Sequence, residues 1–231
     1  MKISVIIPCF NESRTIGMLL RKVIDVKLDM EVEIIVIDDG STDGTRDYLK
    51  SLENKESNLK IIFHEKNKGK GAALRSGFKA SSGEIIIIQD ADLEYNPNEY
   101  KKLLAPIIEG KADVVYGSRF ATGESHRVLY FWHAIGNKLL TFFCNCFSTL
   151  NLTDIEVCYK VFKREVLNKI ELKENGFGFE PEFTIKMARS GSKVYEVGIS
   201  YAGRTYAEGK KITWKDGLIT IFVILRYGLF G

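Results

Sequence analysis

The sequence predicts an α/β fold with a mainly parallel central sheet flanked by helices, on three observations. Short β-branched runs alternate with segments of helical periodicity. Each run is apolar and short, as strands buried between two helical layers are. Each run also ends in polar, charged or glycine-rich residues. Strand–helix alternation implies βαβ crossovers, and in such sheets ligands bind at the carboxyl ends of the strands.

The strands are expected at 3–7, 33–37, 60–63, 85–88 and 114–116, with helices at 15–26, 43–52, 72–80 and 97–109. The last helix has a start signal. Asn96 caps, Pro97 suits the first helical position, and Glu99 completes a capping box. Residues 129–152 are aromatic, with Tyr130, Phe131, Trp132, Phe142, Phe143 and Phe147. A further strand is expected around 157–162, a helix near 181–190 and a strand near 193–199. The apolar tail 212–230 carries Lys215, Asp216 and Arg226. No internal repeat or low-complexity segment is present.

The 231 residues are 45% hydrophobic and 27% charged, which excludes disordered and collagen-like classes. A chain this long buries roughly 70% of its unfolded surface, enough for one domain spanning 1–231. With 33 basic and 30 acidic residues the net charge is +3, too balanced for a nucleic-acid binder acting through bulk charge. Cys9, Cys144, Cys146 and Cys158 have neither zinc nor disulfide-framework spacing and are expected as buried thiols in a reducing compartment. Met1 leads straight into the first strand, so no signal peptide is expected. The longest apolar run, 218–225, is shorter than the roughly 20 residues that cross a bilayer.

Chemistry collects at the strand exits. Asp90-Ala91-Asp92 follows four consecutive isoleucines, so both carboxylates leave a buried strand. Such hard oxygen ligands suit Mg2+ or Mn2+, with substrate phosphates completing the coordination. Asp38-Asp39 after the second strand reads either as part of a helix start with Ser41 or Thr42, or as a holder of ribose hydroxyls or a base N–H. The basic loop 66–75 brings Gly69 and Gly71 together with Lys68, Lys70 and Arg75, suited to phosphate oxygens. It is neither a P-loop nor a dinucleotide fingerprint, because His64 and Leu74 stand where those patterns need glycine. Serine-hydrolase and zinc-protease signatures are missing, and His64, His126 and His133 are scattered.

In combination, five ordered motifs resemble a family-2 glycosyltransferase of the GT-A fold, a Rossmann-like, mainly parallel sheet flanked by helices. They are Pro8-x-Phe10-Asn11-Glu12, Asp38-Asp39-Gly40-Ser41-x-Asp43-Gly44-Thr45, Lys70-Gly71-x-Ala73-x-Arg75-x-Gly77, Asp90-Ala91-Asp92-Leu93 and Gly117-Ser118-Arg119. Within that family the chain resembles the polyprenyl-phosphate (dolichyl-phosphate) glucose and mannose synthases. The loop Lys68-Gly69-Lys70-Gly71-Ala72, the stretch Thr153-Asp154…Cys158-Tyr159-Lys160 and the closing Arg204…Glu208-Gly209-Lys210-Lys211 carry that likeness. Tyr159 replaces a usual glycine and Lys210 a usual serine.

The resemblance implies metal-dependent, inverting transfer of a hexose from a nucleotide sugar to a polyprenyl phosphate. UDP-glucose is favoured over GDP-mannose on the stretch 158–160. Residues 1–120 would bind the donor and 121–231 the acceptor. Pro8, Phe10, Glu12, Asp38 and Asp39 would line the nucleoside, and Lys70 and Arg75 would lie near the diphosphate. Gln89 and Ala91 would border the sugar and metal shell, and Asp90 and Asp92 would hold the cation. Asp92, Asp154 and Arg119 are the expected catalytic residues. A phosphate monoester, largely dianionic at pH 7 because its second pKa is near 6, needs positive charge more than a general base. Asp154 is therefore expected to orient the site and abstract no proton. Ser118, Arg119, Arg127, Arg204, Lys210 and Lys211 are the expected acceptor-phosphate residues. Glu180 and Glu182 read either as acids facing the acceptor channel or as a helix N-terminus.

Tyr130, Phe131 and Trp132 beside Arg127 and Lys138 read as an amphipathic segment at a membrane interface, and 218–225 as a second. Phe142, Phe143 and Phe147 are expected in the core. The expected location is cytoplasmic, peripherally on the inner face of the membrane. Rival readings are the same fold with a polysaccharide or protein acceptor, a nucleotidyltransferase, and a non-catalytic nucleotide-sugar-binding module.

Overall fold

The computed structural model describes residues 1–53, 55–121, 123, 125–128, 130–209, 211 and 214–230. Its centre is a seven-stranded sheet of order β3-β2-β1-β4-β6-β5-β7. The strands are β1 (Lys2–Cys9), β2 (Glu31–Asp38), β3 (Leu59–Phe63), β4 (Ile85–Ile88), β5 (Val114–Ser118), β6 (Lys160–Lys163) and β7 (Val194–Gly198). The helices are α1 (Ile16–Asp25), α2 (Thr45–Leu52), α3 (Lys70–Ala80), α4 (Tyr100–Ile108), α5 (Phe131–Ser148), α6 (Phe179–Arg189) and α7 (Trp214–Phe230).

The apolar runs behave as their composition dictates. All four isoleucines of β4 are buried, as are Ile34, Ile35, Val36 and Ile37 of β2. β1 pairs in parallel with β2 and β4, and β2 with β3. β6 is the exception, antiparallel to both β4 and β5. A strand of reversed direction starts where its neighbours end. Lys160, the first residue of β6, pairs with Tyr116 near the end of β5. The register sets Cys9 beside Asp38 and Ile6 beside Ile88, so the exits of β1, β2 and β4 share one edge with the start of β6.

Several local expectations are corrected. α2 begins at Thr45, behind Gly44 at φ +94°, and Asp43 rather than Ser41 or Thr42 takes the Thr45 N–H. Asn96 caps the turn at Pro97 by accepting from Asn98 N–H, but Glu99 does not reach back to complete a capping box. It accepts from the backbone of Ser200 at 2.9 Å and lies 2.6 Å from Lys102. The long-range partner outweighs the local one. Three cysteines are buried as expected, whereas Cys146 is exposed. Phe142 and Phe143 are 61% and 43% exposed rather than in the core, because α5 turns Thr141, Cys144 and Ser148 inward. Phe147 packs against the core, with its ring over Gly228 of α7.

Candidate active site

The site forms where the first four strand exits meet the start of β6. Asp90 and Asp92 leave β4. Lys70, at the first turn of α3, lies 2.9 Å from Asp90 and 3.0 Å from Glu180 in the first turn of α6. Glu180 also bonds Lys160, which is fully buried and donates to the carbonyls of Ile155 and Val157 as well. A continuous chain Lys160–Glu180–Lys70–Asp90 thus ties one acid of the pair to the sheet. Burial alone would raise Asp90, but Lys70 overcomes this and holds it below the usual carboxylate range.

Asp92 is in the opposite state. Burial, then Asp90 and Glu94, push it up to about 8, against the pull of Arg204. Arg204 reaches Asp92 at 2.8 Å, Glu94 at 3.1 Å and Glu12 at 3.2 Å. Lys211 follows it across the opening, donating to Glu12 at 2.7 Å and to the carbonyls of Phe10 and Asn11. Arg204 and Lys211 therefore tie the second half of the chain to the exits of β1 and β4. The donor set suits a hard divalent cation. It offers carboxylate oxygens only, and a cation between them would relieve the repulsion that raises Asp92. Among the described residues no group of three or more such ligands converges, so phosphate and water oxygens would complete the shell.

The third feature is an ion pair at the exit of β5. Arg119 grips Asp154 through two nitrogens, at 2.6 and 2.7 Å, and its backbone N–H adds a third bond. Asp154 is fully buried. The Arg119 guanidinium also lies over the Tyr201 ring, with its carbon 5.1 Å from the ring centre. Burial opposes the charge of Arg119, but Asp154 beside it holds the guanidinium protonated.

Other expected residues support loops. Asp38 accepts from Ser41 N–H and from Arg46 at 2.7 Å. Asp39 accepts from His64 Nδ1 at 2.6 Å and from the backbone of Lys68 and Gly69, fixing the loop before α3. That loop needs glycine at 69, whose φ is +96° and whose Cβ would strike the Asn175 carbonyl. Pro8 lies in β1 opposite Ile37, Phe10 is half-buried, and the Ala91 carbonyl accepts from Thr15.

Several expected residues have their side chains committed within the fold. Arg75 is half-buried and bonds the Glu174 carbonyl and the Asn175 side chain. Gln89 is fully buried and held by the hydroxyls of Tyr100 and Tyr159, both at 2.8 Å. Ser118 is fully buried, paired with Thr153 and accepting from Phe120 and Ala121 N–H, so it shapes a turn. Glu182 follows the second of its two readings, an acid in the first turn of α6, where it accepts from Lys173 and Glu174 N–H. Arg127 bonds Gly203 and Glu208, and Lys210 lies outside the described residues. Glu94 carries weight that no motif announced, and Lys160, quoted in a motif, had no role assigned to it. The Glu94 and Lys160 partners sit in other elements, and for Glu94 they are more than a hundred residues away.

Known proteins share this architecture. Over 98% of its length the chain is 31% identical to the dolichol-phosphate mannosyltransferase of Pyrococcus furiosus, of which it spans 62%. Over 99% it is 27% identical to the undecaprenyl-phosphate mannosyltransferase of Micrococcus luteus, of which it spans 95%. The glucosyl-3-phosphoglycerate synthase of Mycobacterium tuberculosis, solved with Mn2+, UDP and glucosyl-3-phosphoglycerate, has the same fold. The match has a TM-score of 0.74 at 21% identity, over 98% of this chain and 79% of that one. Residues 4–171 match the model described as glycosyl transferase family 2, and the chain belongs to that family, with the GT-A fold.

Proposed function

We propose that the chain transfers a hexose from a nucleotide sugar to a polyprenyl phosphate at a membrane surface, with inversion at the anomeric carbon. The observation that carries this reading is the state of Asp154. Asp154 is fully buried and clamped by Arg119 through both oxygens, which leaves it no free oxygen placed to take a proton from an acceptor. An ordinary hydroxyl acceptor needs a base, whereas a phosphate monoester is already anionic. Arg119 keeps further N–H donors beyond the two that Asp154 takes, and these suit a phosphate. The names of the two mannosyltransferase relatives point to the same acceptor class.

Residues 1–120 would hold the donor, with Glu12, Asp39 and Lys70 around it, and 121–231 the acceptor. Asp90 and Asp92 would hold Mg2+ or Mn2+, which supplies Lewis-acid stabilisation of the departing nucleoside diphosphate. Lys70 and Arg204 now neutralise those acids. Both are placed to turn to phosphate oxygens once the carboxylates are otherwise engaged. UDP-glucose and GDP-mannose are the donors to compare, and the relatives' names weigh toward mannose.

The acceptor is a lipid, and the second half offers a surface for its bilayer. Among the described residues no helix is long and apolar enough to cross a membrane. α5 and α7 pack together and leave Phe131, Trp132 and Phe142 of the one and Leu218, Phe222 and Phe230 of the other exposed. Contiguous exposed apolar faces beside basic residues such as Lys138, Lys215 and Arg226 fit a peripheral contact with an anionic leaflet, here the cytoplasmic face. The double substitution Trp132→Glu/Phe222→Glu is expected to lower partitioning onto phosphatidylglycerol vesicles at least about tenfold without lowering the melting temperature. Co-sedimentation checks this, and unchanged partitioning would remove these helices from the membrane contact. Movement of labelled hexose into an organic phase tests the reaction itself.

A further inference from the structure

A groove of about 470 Å3 lies between the loop before α3, one face of that helix and Asn175. Arg75, Ser76 and Lys79, spaced three and four residues apart, share that face, and Lys66 and Lys68 of the loop border the same space. Lys70, held by Asp90 and Glu180, does not line it, and neither does Asp90 or Asp92. The groove is thus a feature apart from the acids that would hold the metal.

Its charge is of one sign. Lys66, Lys68, Arg75 and Lys79 line it, and no carboxylate does. The three lysines are exposed and make no ion pair among the described residues. Arg75 spends its bonds on neutral oxygens, the Glu174 carbonyl and the Asn175 side chain, so its charge is not cancelled. A concave surface of one sign focuses its field and gathers counter-charge. Guanidinium and ammonium donors around one hollow suit phosphate oxygens.

The groove shares a wall with α7. Arg75 holds the Glu174 carbonyl, and the Glu174 carboxylate accepts from Arg226 at 3.2 Å and from the Tyr227 hydroxyl at 3.1 Å. Arg226 is exposed, with Phe222 one turn before it and Phe230 one turn after, both exposed as well. Glu174 therefore stands between the basic groove and the apolar face of α7.

We propose that this groove binds the phosphate of an anionic phospholipid headgroup, while the apolar face of α7 enters the same leaflet. The inference rests on α7 meeting the bilayer. A phospholipid satisfies both neighbours at once, its phosphate in the basic hollow and its chains along the aromatic face. Such a contact orients the protein as well as holding it. The helix that carries the groove begins at Lys70, so the lipid would set the height of the Asp90 site above the membrane surface.

The test is co-sedimentation of the full chain with phosphatidylcholine vesicles, with and without phosphatidylglycerol. Wild type is expected to partition at least about tenfold better onto the anionic vesicles. Lys66→Gln/Lys79→Gln should lose most of that gain with an unchanged melting temperature, because both side chains are exposed. Lys27→Gln/Lys50→Gln, which removes the same charge from exposed positions outside the groove, should keep it. Lysine acetylation read by mass spectrometry locates the contact: anionic vesicles should shield Lys66, Lys68 and Lys79, and phosphatidylcholine alone should not. Equal losses in the two double variants, or no shielding in the groove, would mean that charge acts in bulk and would overturn the site. Equal shielding by inorganic phosphate at the same phosphate concentration would make the ligand a soluble anion. Weaker nucleotide-sugar binding by Lys66→Gln/Lys79→Gln, with vesicle selectivity intact, would give the groove to the donor instead. Unchanged partitioning of Trp132→Glu/Phe222→Glu overturns the bilayer contact of α7 and this proposal with it. Loss in that variant, with no anionic selectivity in the wild type, overturns the headgroup site alone. Hexose transfer in detergent tests the acceptor separately, without a vesicle.

Discussion

Asp92→Asn is expected to slow hexose transfer roughly a thousandfold without loosening the fold. The ion that this acid would help to hold contributes several kcal/mol of charge stabilisation, and each 1.4 kcal/mol is a factor of ten in rate. The fold should tolerate the change because Asp92 is an uncomfortable carboxylate. It is raised by burial and crowded by Asp90 and Glu94. Arg204 keeps its contacts with Glu12 and Glu94 when Asp92 is neutral. Single-turnover transfer and thermal melting, measured on one preparation, check both halves. Transfer within tenfold of the wild type would remove Asp92 from the reaction.

Arg119→Ala is expected to cost both activity and stability. Its partner Asp154 is fully buried, and removing one partner of a buried ion pair strands the other charge at a cost of about 3–5 kcal/mol. Equilibrium urea unfolding reads the loss. The companion Arg119→Ala/Asp154→Asn should regain most of that stability, because no buried charge remains, yet stay inactive, because the acceptor's guanidinium is still missing. Regained activity in the double variant would mean that Arg119 serves only to satisfy Asp154.

The sequence made the sheet legible because buried strands and their exits have a composition of their own. The runs at 3–7, 33–37 and 85–88 fall inside β1, β2 and β4, and the polar residues after them do gather at one edge. The reversal of β6 was not legible, since a strand of four residues, KVFK, carries no mark of its direction. Glu12, Asp92 and Arg204, assigned to three different parts of the site, meet in one ion-pair cluster. Gln89 is sealed in the core, for a reason that motif spacing cannot encode. Residues near a site in sequence alternate between facing it and facing away, and which way they face is decided by the helix or strand that carries them. The buried chain through Glu180 and Lys160 was hidden for another reason. It joins α3, β4, β6 and α6, elements brought together only by the finished fold. Phe142 and Phe143 show the limit of hydrophobicity as a guide to burial. An aromatic on a helix at the surface looks the same in sequence as one in the core.

The central claim is that this chain moves a hexose onto a lipid phosphate. The direct measurement offers the purified protein polyprenyl phosphate, Mg2+ or Mn2+, and labelled UDP-glucose and GDP-mannose in parallel, and extracts the product into organic solvent. The account predicts that one of the two sugars enters the lipid phase, that chelation stops it, and that Asp92→Asn stops it too. Binding of a nucleotide sugar with no label in the lipid phase, from either donor and with either ion, would contradict it.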